Sequence, residues 1–218
     1  VMTTHTDFEY FNFGRFRNTS VVKFIGRTWG KKVYKQAVKV IVPSQKAVAF
    51  PHLEPCRDKV VVIPNGIMAE RYQKAVSSNR KKELLDGMGF VSDGHTLVMV
   101  TRLSKEKNVI EILSYLPSLL KVVPDVQLII VGAGPDRKKL EKFCEDNLLT
   151  EHVFFTGRID PDMVYEYYSL GDVFVSASLF ELHSMSYLEA MAAGLPLVCR
   201  EDLSLRGVLE DGVNGYIY

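Results

Sequence analysis

Between Ser176 and Gly194 the chain reads SASLFELHSMSYLEAMAAG, and two carboxylates, Glu181 and Glu189, stand eight positions apart in it. An ionised carboxylate only accepts hydrogen bonds, so a pair of them suits hydroxyl-rich ligands such as a sugar and a ribose. Glu181 precedes the helix start expected at Ser184, and Glu189 falls in the second turn. Backbone N–H groups at Ser184, Met185 and Ser186 would then be open to an anion or a hydroxyl-rich group. Glu189 is flanked by Tyr187, Leu188, Met191 and Ala192, which leave it little polar face. A buried glutamate needs a partner or a ligand; a place on a surface helix face is the plain alternative. General acid–base work by the pair is a competing reading, but one loop carboxylate and one helix carboxylate are not the matched settings of a hydrolytic pair.

Further residues fit an anionic ligand. Arg102 and Lys107 lie five apart in TRLSKEK, where a guanidinium fork and an ammonium point charge can converge on a diphosphate. An ordinary exposed loop is the alternative. VGAGP at 131–135 has two glycines of a dinucleotide loop, Gly132 and Gly134, but Arg137 stands where the third belongs and no acid closes the next strand. A nicotinamide dehydrogenase is therefore a poor fit. Thr156-Gly157-Arg158 offers backbone against which a base could lie. No metal is expected: the five histidines show no i, i+4 spacing, and Asp160-Pro161-Asp162 reads better as a Pro-opened helix start than as a metal-binding D-x-D. There is no P-loop and no G-x-S-x-G.

The elements that must position these residues alternate regularly. Strands are predicted at 38–42, 60–63, 97–101, 126–131, 153–155, 173–176, 195–199 and 215–218. Helices are predicted from Gln45, at 77–88, 108–122, 136–148, 162–170 and 184–193, and near 204–209. Short apolar strands alternating with amphipathic helices mean an α/β chain with a parallel sheet covered on both faces. Ligands of such sheets gather at the carboxyl ends of the strands, where every candidate above except Glu189 falls on a loop or a helix start.

Composition narrows the class. The 218 residues are 47% hydrophobic and 24% charged, which is ordinary globular usage. Three cysteines in no C-x-x-C pair argue against a disulfide framework or a zinc site and for a reducing compartment. No apolar run approaches a membrane span, and no signal-peptide pattern opens the chain; both ends read as cut. The net charge of +1 conceals a basic block. From Tyr10 to Leu53 there are nine Lys or Arg and no acid, interleaved with aromatics such as Phe11, Phe13, Phe16, Phe24 and Trp29. That favours an interfacial segment on an anionic membrane surface over nucleic acid, for which no recognition signature is present. A solvated helix face is the alternative.

Taken together, Glu181-x7-Glu189, Arg102 with Lys107, VGAGP, FTGR at 155–158, IPNG at 63–66 and NGY at 214–216 resemble the retaining GT-B glycosyltransferases of the family containing glycogen synthase and many bacterial lipid glycosyltransferases. The resemblance runs from about Val38 onward. It implies two Rossmann-like domains: the C-terminal remnant of an acceptor domain at 1–64, and a nucleotide-sugar domain at 65–218, truncated at its end. It further implies that Glu189 holds the ribose and Glu181 the donor hexose, while Arg102 and Lys107 hold the diphosphate. Gly132, Ser184, Met185 and Ser186 would line the donor, Arg158 the base, and His5 would stand near the reacting sugar. The family's usual Phe-Gly after the first Glu is His183-Ser184 here, which bears on sugar choice. The start, the basic block and the ending are most similar to bacterial diacylglycerol glucosyltransferases. The implied activity is transfer of glucose from UDP-glucose to a lipid hydroxyl, without metal or other cofactor, at the cytoplasmic face of a membrane. Rivals are a sugar-nucleotide epimerase, a phosphorylase, and a fragment that binds nucleotide sugar without turnover.

Overall fold

The computed structural model describes residues 2–3, 32–74 and 76–218. His5 and the basic block as far as residue 31 lie outside these. The chain divides into two units, Val1–Gly66 with Phe180–Ser184, and Ile67–Leu179 with Met185–Tyr218. The sequence reading keeps 180–184 with the second part; those five residues instead pack with the first.

In the first unit, three parallel strands β1 (Met2–Thr3), β2 (Val40–Val42) and β3 (Val60–Val62) lie in that order. The short helix α1 (Gln45–Val48) follows β2; Ser44 takes the cap position, but its hydroxyl makes no capping bond. Tyr34, Val40, Val42, Phe50, Leu53 and Cys56 form the core, and Leu182 joins them with Phe180 at the edge.

In the second unit, six parallel strands form one sheet: β4 (Thr96–Val100), β5 (Gln127–Val131), β6 (Val153–Gly157), β7 (Val173–Ser176), β8 (Leu197–Cys199) and β9 (Gly215–Ile217). Their order is β6-β5-β4-β7-β8-β9. The helices are α2 (Ala69–Tyr72), α3 (Ser78–Gly87), α4 (Val109–Leu119), α5 (Arg137–Asp146), α6 (Val164–Tyr168) and α7 (Met185–Ala192).

Successive strand residues point to opposite faces, and the two faces carry separate cores. On one, Val98, Ile129, Phe174 and Leu197 pack against Leu85, Tyr168, Tyr187 and Ala190. On the other, Met99, Leu128, Ile130 and Val175 pack against Leu113, Leu116, Leu140 and Cys144. Each such aliphatic side chain, fully buried, contributes about 1.5–3 kcal/mol. All of β5 is buried, as a central parallel strand must be.

The helix expected near 204–209 is only a 3-10 turn, Leu203–Leu205. The Asp202 carboxylate caps it, and Arg206, at ψ 121°, leaves helical backbone at once. The helix expected from residue 162 starts later, at Val164. Asp160 is used in the turn before it: its carboxylate accepts from the Asp162 N–H at 2.8 Å, and its carbonyl from Met163.

Candidate functional site

Chain order runs outward from β4 through β5 to β6, then returns to the other side of β4 with β7. The loops after β4 and β7 therefore leave in opposite directions at the carboxyl edge, which is where parallel sheets receive ligands. Arg102 and Lys107 lie on the loop after β4, Gly132 on that after β5 and Arg158 on that after β6.

Backbone bonds join three of these loops. Thr101 donates to Val131, Leu103 to Ala133 and Gly132 to Gly157, at 2.9, 3.1 and 2.9 Å. This explains the glycines of VGAGP. A Cβ on Gly132 would fall 1.9 Å from the Thr101 carbonyl oxygen, and one on Gly134 would fall 2.1 Å from that of Leu103. Gly132 also has φ at +138°, a backbone L-residues rarely adopt. Both glycines are needed for the loops to touch, so their first role is to fix the Arg102 loop in place.

Within that loop Arg102 is exposed and is paired inside its own turn. Its Nη2 donates to Glu106 and its Nε to the Ser104 hydroxyl, which donates in turn to Glu106 Oε1 at 2.7 Å. Burial pushes the Glu106 carboxyl up, but the bonds from Ser104, from backbone and from Arg102 outweigh it and hold it below its ordinary value. The Glu106 carbonyl accepts from the Leu179 N–H at 2.8 Å, which joins the loops on either side of the β4/β7 seam. Lys107 closes the same 3-10 turn.

Met185 and Ser186 open α7, and Glu189 lies one turn further on. The Tyr187 hydroxyl meets the Ser176 hydroxyl at 2.9 Å and fastens the helix to the end of β7. Glu189 is half-buried, and both its oxygens are engaged. Tyr72 donates to Oε1 and Tyr168 to Oε2, each at 2.8 Å. Burial, then the Glu189 bond and charge, push the Tyr72 hydroxyl up to about 12. Burial, then Glu189, push Tyr168 well above its ordinary value. Among the described residues, no group of three or more His, Cys, Asp or Glu is placed to hold a metal ion. Asp162 is paired with Arg71.

Residues 81–218 match the family described as Glycosyl transferases group 1. The chain belongs to this family. The alpha-monoglucosyldiacylglycerol synthase of Acholeplasma laidlawii is 28% identical over 229 residues, covering 100% of this chain and 56% of that protein. Its namesake in Streptococcus pneumoniae (strain ATCC BAA-255 / R6) is 30% identical over 225 residues, covering 100% and 50%. The chain thus spans about half the length of these curated relatives. Among solved structures, Anabaena HepE in complex with UDP and glucose superposes with a TM-score of 0.80 at 23% identity, covering 100% of this chain and 56% of that one. Sucrose-phosphate synthase from Thermosynechococcus elongatus gives 0.78 at 21%, covering 99% and 54%. The fold is the parallel-sheet α/β fold of GT-B glycosyltransferases, as the sequence resemblance implies.

In this group 1 glycosyltransferase chain, the second unit carries Arg102, Lys107, Gly132, Arg158, Met185, Ser186 and Glu189 along one edge of its sheet or on the helix that follows. Glu181, His183 and Ser184 belong to the segment that packs with the first unit. There the Asn65 side chain donates to the His183 carbonyl at 3.2 Å. The His183 Nδ1 is buried with no hydrogen-bond partner among the described residues, and burial lowers its readiness to protonate. His5 lies outside the described residues. Sequence reasoning missed Tyr72, Tyr168 and Glu106. Its one signal was that a glutamate among apolar neighbours must have a partner.

Proposed function

We propose that this chain forms the nucleotide-sugar-binding part of a retaining glycosyltransferase that moves glucose from UDP-glucose to a diacylglycerol-like lipid. What carries the reading is the likeness, over the whole chain, to two proteins named alpha-monoglucosyldiacylglycerol synthase. The neighbour solved with UDP and glucose supports the donor. In this reading Glu189 accepts from the ribose hydroxyls, and Arg102 and Lys107 face the diphosphate. They stabilise the charge that grows as the diphosphate leaves, so catalysis is mainly positioning and electrostatic stabilisation. Arg158 lies toward the base. Glu181 as the hexose ligand rests on its place in the motif. Two cations facing the diphosphate make a metal unnecessary.

The test is transfer from labelled UDP-glucose to diacylglycerol by the full-length protein, with product analysis of the anomeric bond. An α-linked glucolipid formed equally well in EDTA is expected. Activity lost in EDTA and restored by Mg²⁺ would overturn the metal-free reading. A second reading is binding without turnover by this chain alone, favoured because it spans about half the length of its relatives.

A further inference from the structure

The Glu189 carboxylate is held from two sides by residues the motif does not include. Tyr72 reaches Oε1 from α2, and Tyr168 reaches Oε2 from α6. We propose that Tyr72 and Tyr168 are positioning residues that fix this carboxylate as a two-point acceptor for a vicinal diol. They thereby set the preference of the site for ribonucleotides. The proposal rests on the reading of Glu189 as the ribose ligand.

A carboxylate has about four lone-pair sites, two on each oxygen. One tyrosine on each oxygen leaves one site on each, matching two adjacent hydroxyls. The last torsion of a glutamate is broad and has no sharp minimum of its own. Two anchored oxygens remove that freedom before a ligand arrives, and such preorganisation raises affinity by lowering the ordering that binding requires.

The anchors are themselves fixed. Tyr168 is fully buried. Its ring lies 6.1 Å from Phe174 and meets Tyr72 edge-on at 5.7 Å. Tyr72 sits on a four-residue helix beside Arg71, which is paired with Asp162. Arg80 forks onto the buried Glu166, at 3.3 and 3.0 Å, on the helix that carries Tyr168. Because an ionised carboxylate can only accept, both phenols must donate; the Tyr168 proton has a second, more distant acceptor in the Ser186 carbonyl at 3.4 Å, against 2.8 Å to Glu189.

The experiment is calorimetry of the full chain with UDP and with dideoxy-UDP, which lacks both ribose hydroxyls. Wild type, Tyr72→Phe, Tyr168→Phe and Glu189→Gln are compared. Wild type is expected to prefer UDP by about tenfold or more, equivalent to about 1.4 kcal/mol. Each Tyr→Phe variant should lose most of that preference while binding dideoxy-UDP as wild type does, a ratio that a merely structural tyrosine would not move. If the tyrosine variants keep the preference and Glu189→Gln loses it, Glu189 is the ribose ligand and the positioning role is overturned. If wild type shows no preference, or does not bind UDP, the ribose reading fails and the proposal falls with it. Should Tyr168→Phe not fold, the less buried Tyr72→Phe carries the test.

Discussion

Replacing Glu189 with alanine removes the nearer acceptor of the Tyr168 hydroxyl, which sits on a fully buried side chain, and leaves it the Ser186 carbonyl at 3.4 Å. A hydrogen bond to a charged group contributes about 1.5–3 kcal/mol, so losing it should lower the denaturant midpoint of Glu189→Ala even without nucleotide. Glu189→Gln keeps the shape and a polar partner for each phenol. It should fold nearly as well as wild type yet bind UDP more weakly by about 1–1.5 kcal/mol for each ribose hydroxyl, the difference between charged and neutral hydrogen bonds. Denaturation and calorimetry on both variants separate the two effects. His183 gives a pH dependence. Burial holds its folded pKa below the ordinary 6.5, so around that value the unfolded chain binds more protons than the folded one. Stability therefore rises with pH toward 6.5, is complete above it, and is lost as pH falls through the window below it. Thermal melts from pH 8 to pH 5 should show that loss, and His183→Phe should reduce it.

The element that most constrains the carboxyl edge of the sheet is the pair of loops joined through Gly132 and Gly134. Gly132→Ala would drive a methyl into the Thr101 carbonyl and force a positive φ on an L-residue. The backbone strain alone is worth about 1–3 kcal/mol, and relief of the collision must move the Arg102 loop. Lower melting temperature together with weaker UDP binding is expected; unchanged binding would separate the glycine from the loop. These glycines are visible in the sequence, but only as two glycines of an incomplete dinucleotide loop, because spacing does not show what a Cβ would meet. The strand expected at 173–176 coincides with β7, Val173–Ser176. Helix α2 was not read. Four residues after a Pro-Asn-Gly turn contain too little periodicity to register, and Tyr72 was lost with them. Tyr168 falls inside the helix expected at 162–170, where nothing singles it out. Its hydroxyl contact, 21 positions away in sequence, leaves no local signal. Arg102 and Lys107 stand out because they follow a strand and Glu189 because apolar residues flank it, whereas the tyrosines that hold Glu189 come from 117 and 21 positions away.

At the scale of the whole molecule, no helix among the described residues is long and apolar enough to cross a membrane. If the protein acts on a lipid, the basic block of 10–53 is the candidate for surface contact. Lys32, Lys35 and Lys39 in it are exposed. Each cation near an anionic surface is worth about 1 kcal/mol. Co-sedimentation should therefore rise with phosphatidylglycerol content, fall in high salt, and drop when Lys31, Lys32 and Lys35 are changed to Glu. Equal binding to neutral and anionic vesicles would exclude this contact. The seam between β4 and β7 has a consequence for assembly as well. Partners across β4 and β5 are 31 positions apart, as Thr96 and Gln127 are, whereas across β4 and β7 they are 76 apart, as Thr96 and Asp172 are. Closing the longer loop is less favourable by about 0.8 kcal/mol, so the β4–β5 pair should form first and the seam close late. Arg102 stands on the early side of that seam and Glu189 on the late side. A ligand held by both can bind only after the last strands have docked. It should leave the refolding rate unchanged while slowing unfolding, and at 100 times its Kd it should add about 2.7 kcal/mol to stability. In the cell, a supply of donor would then act as a clasp, retaining chains that have already finished folding.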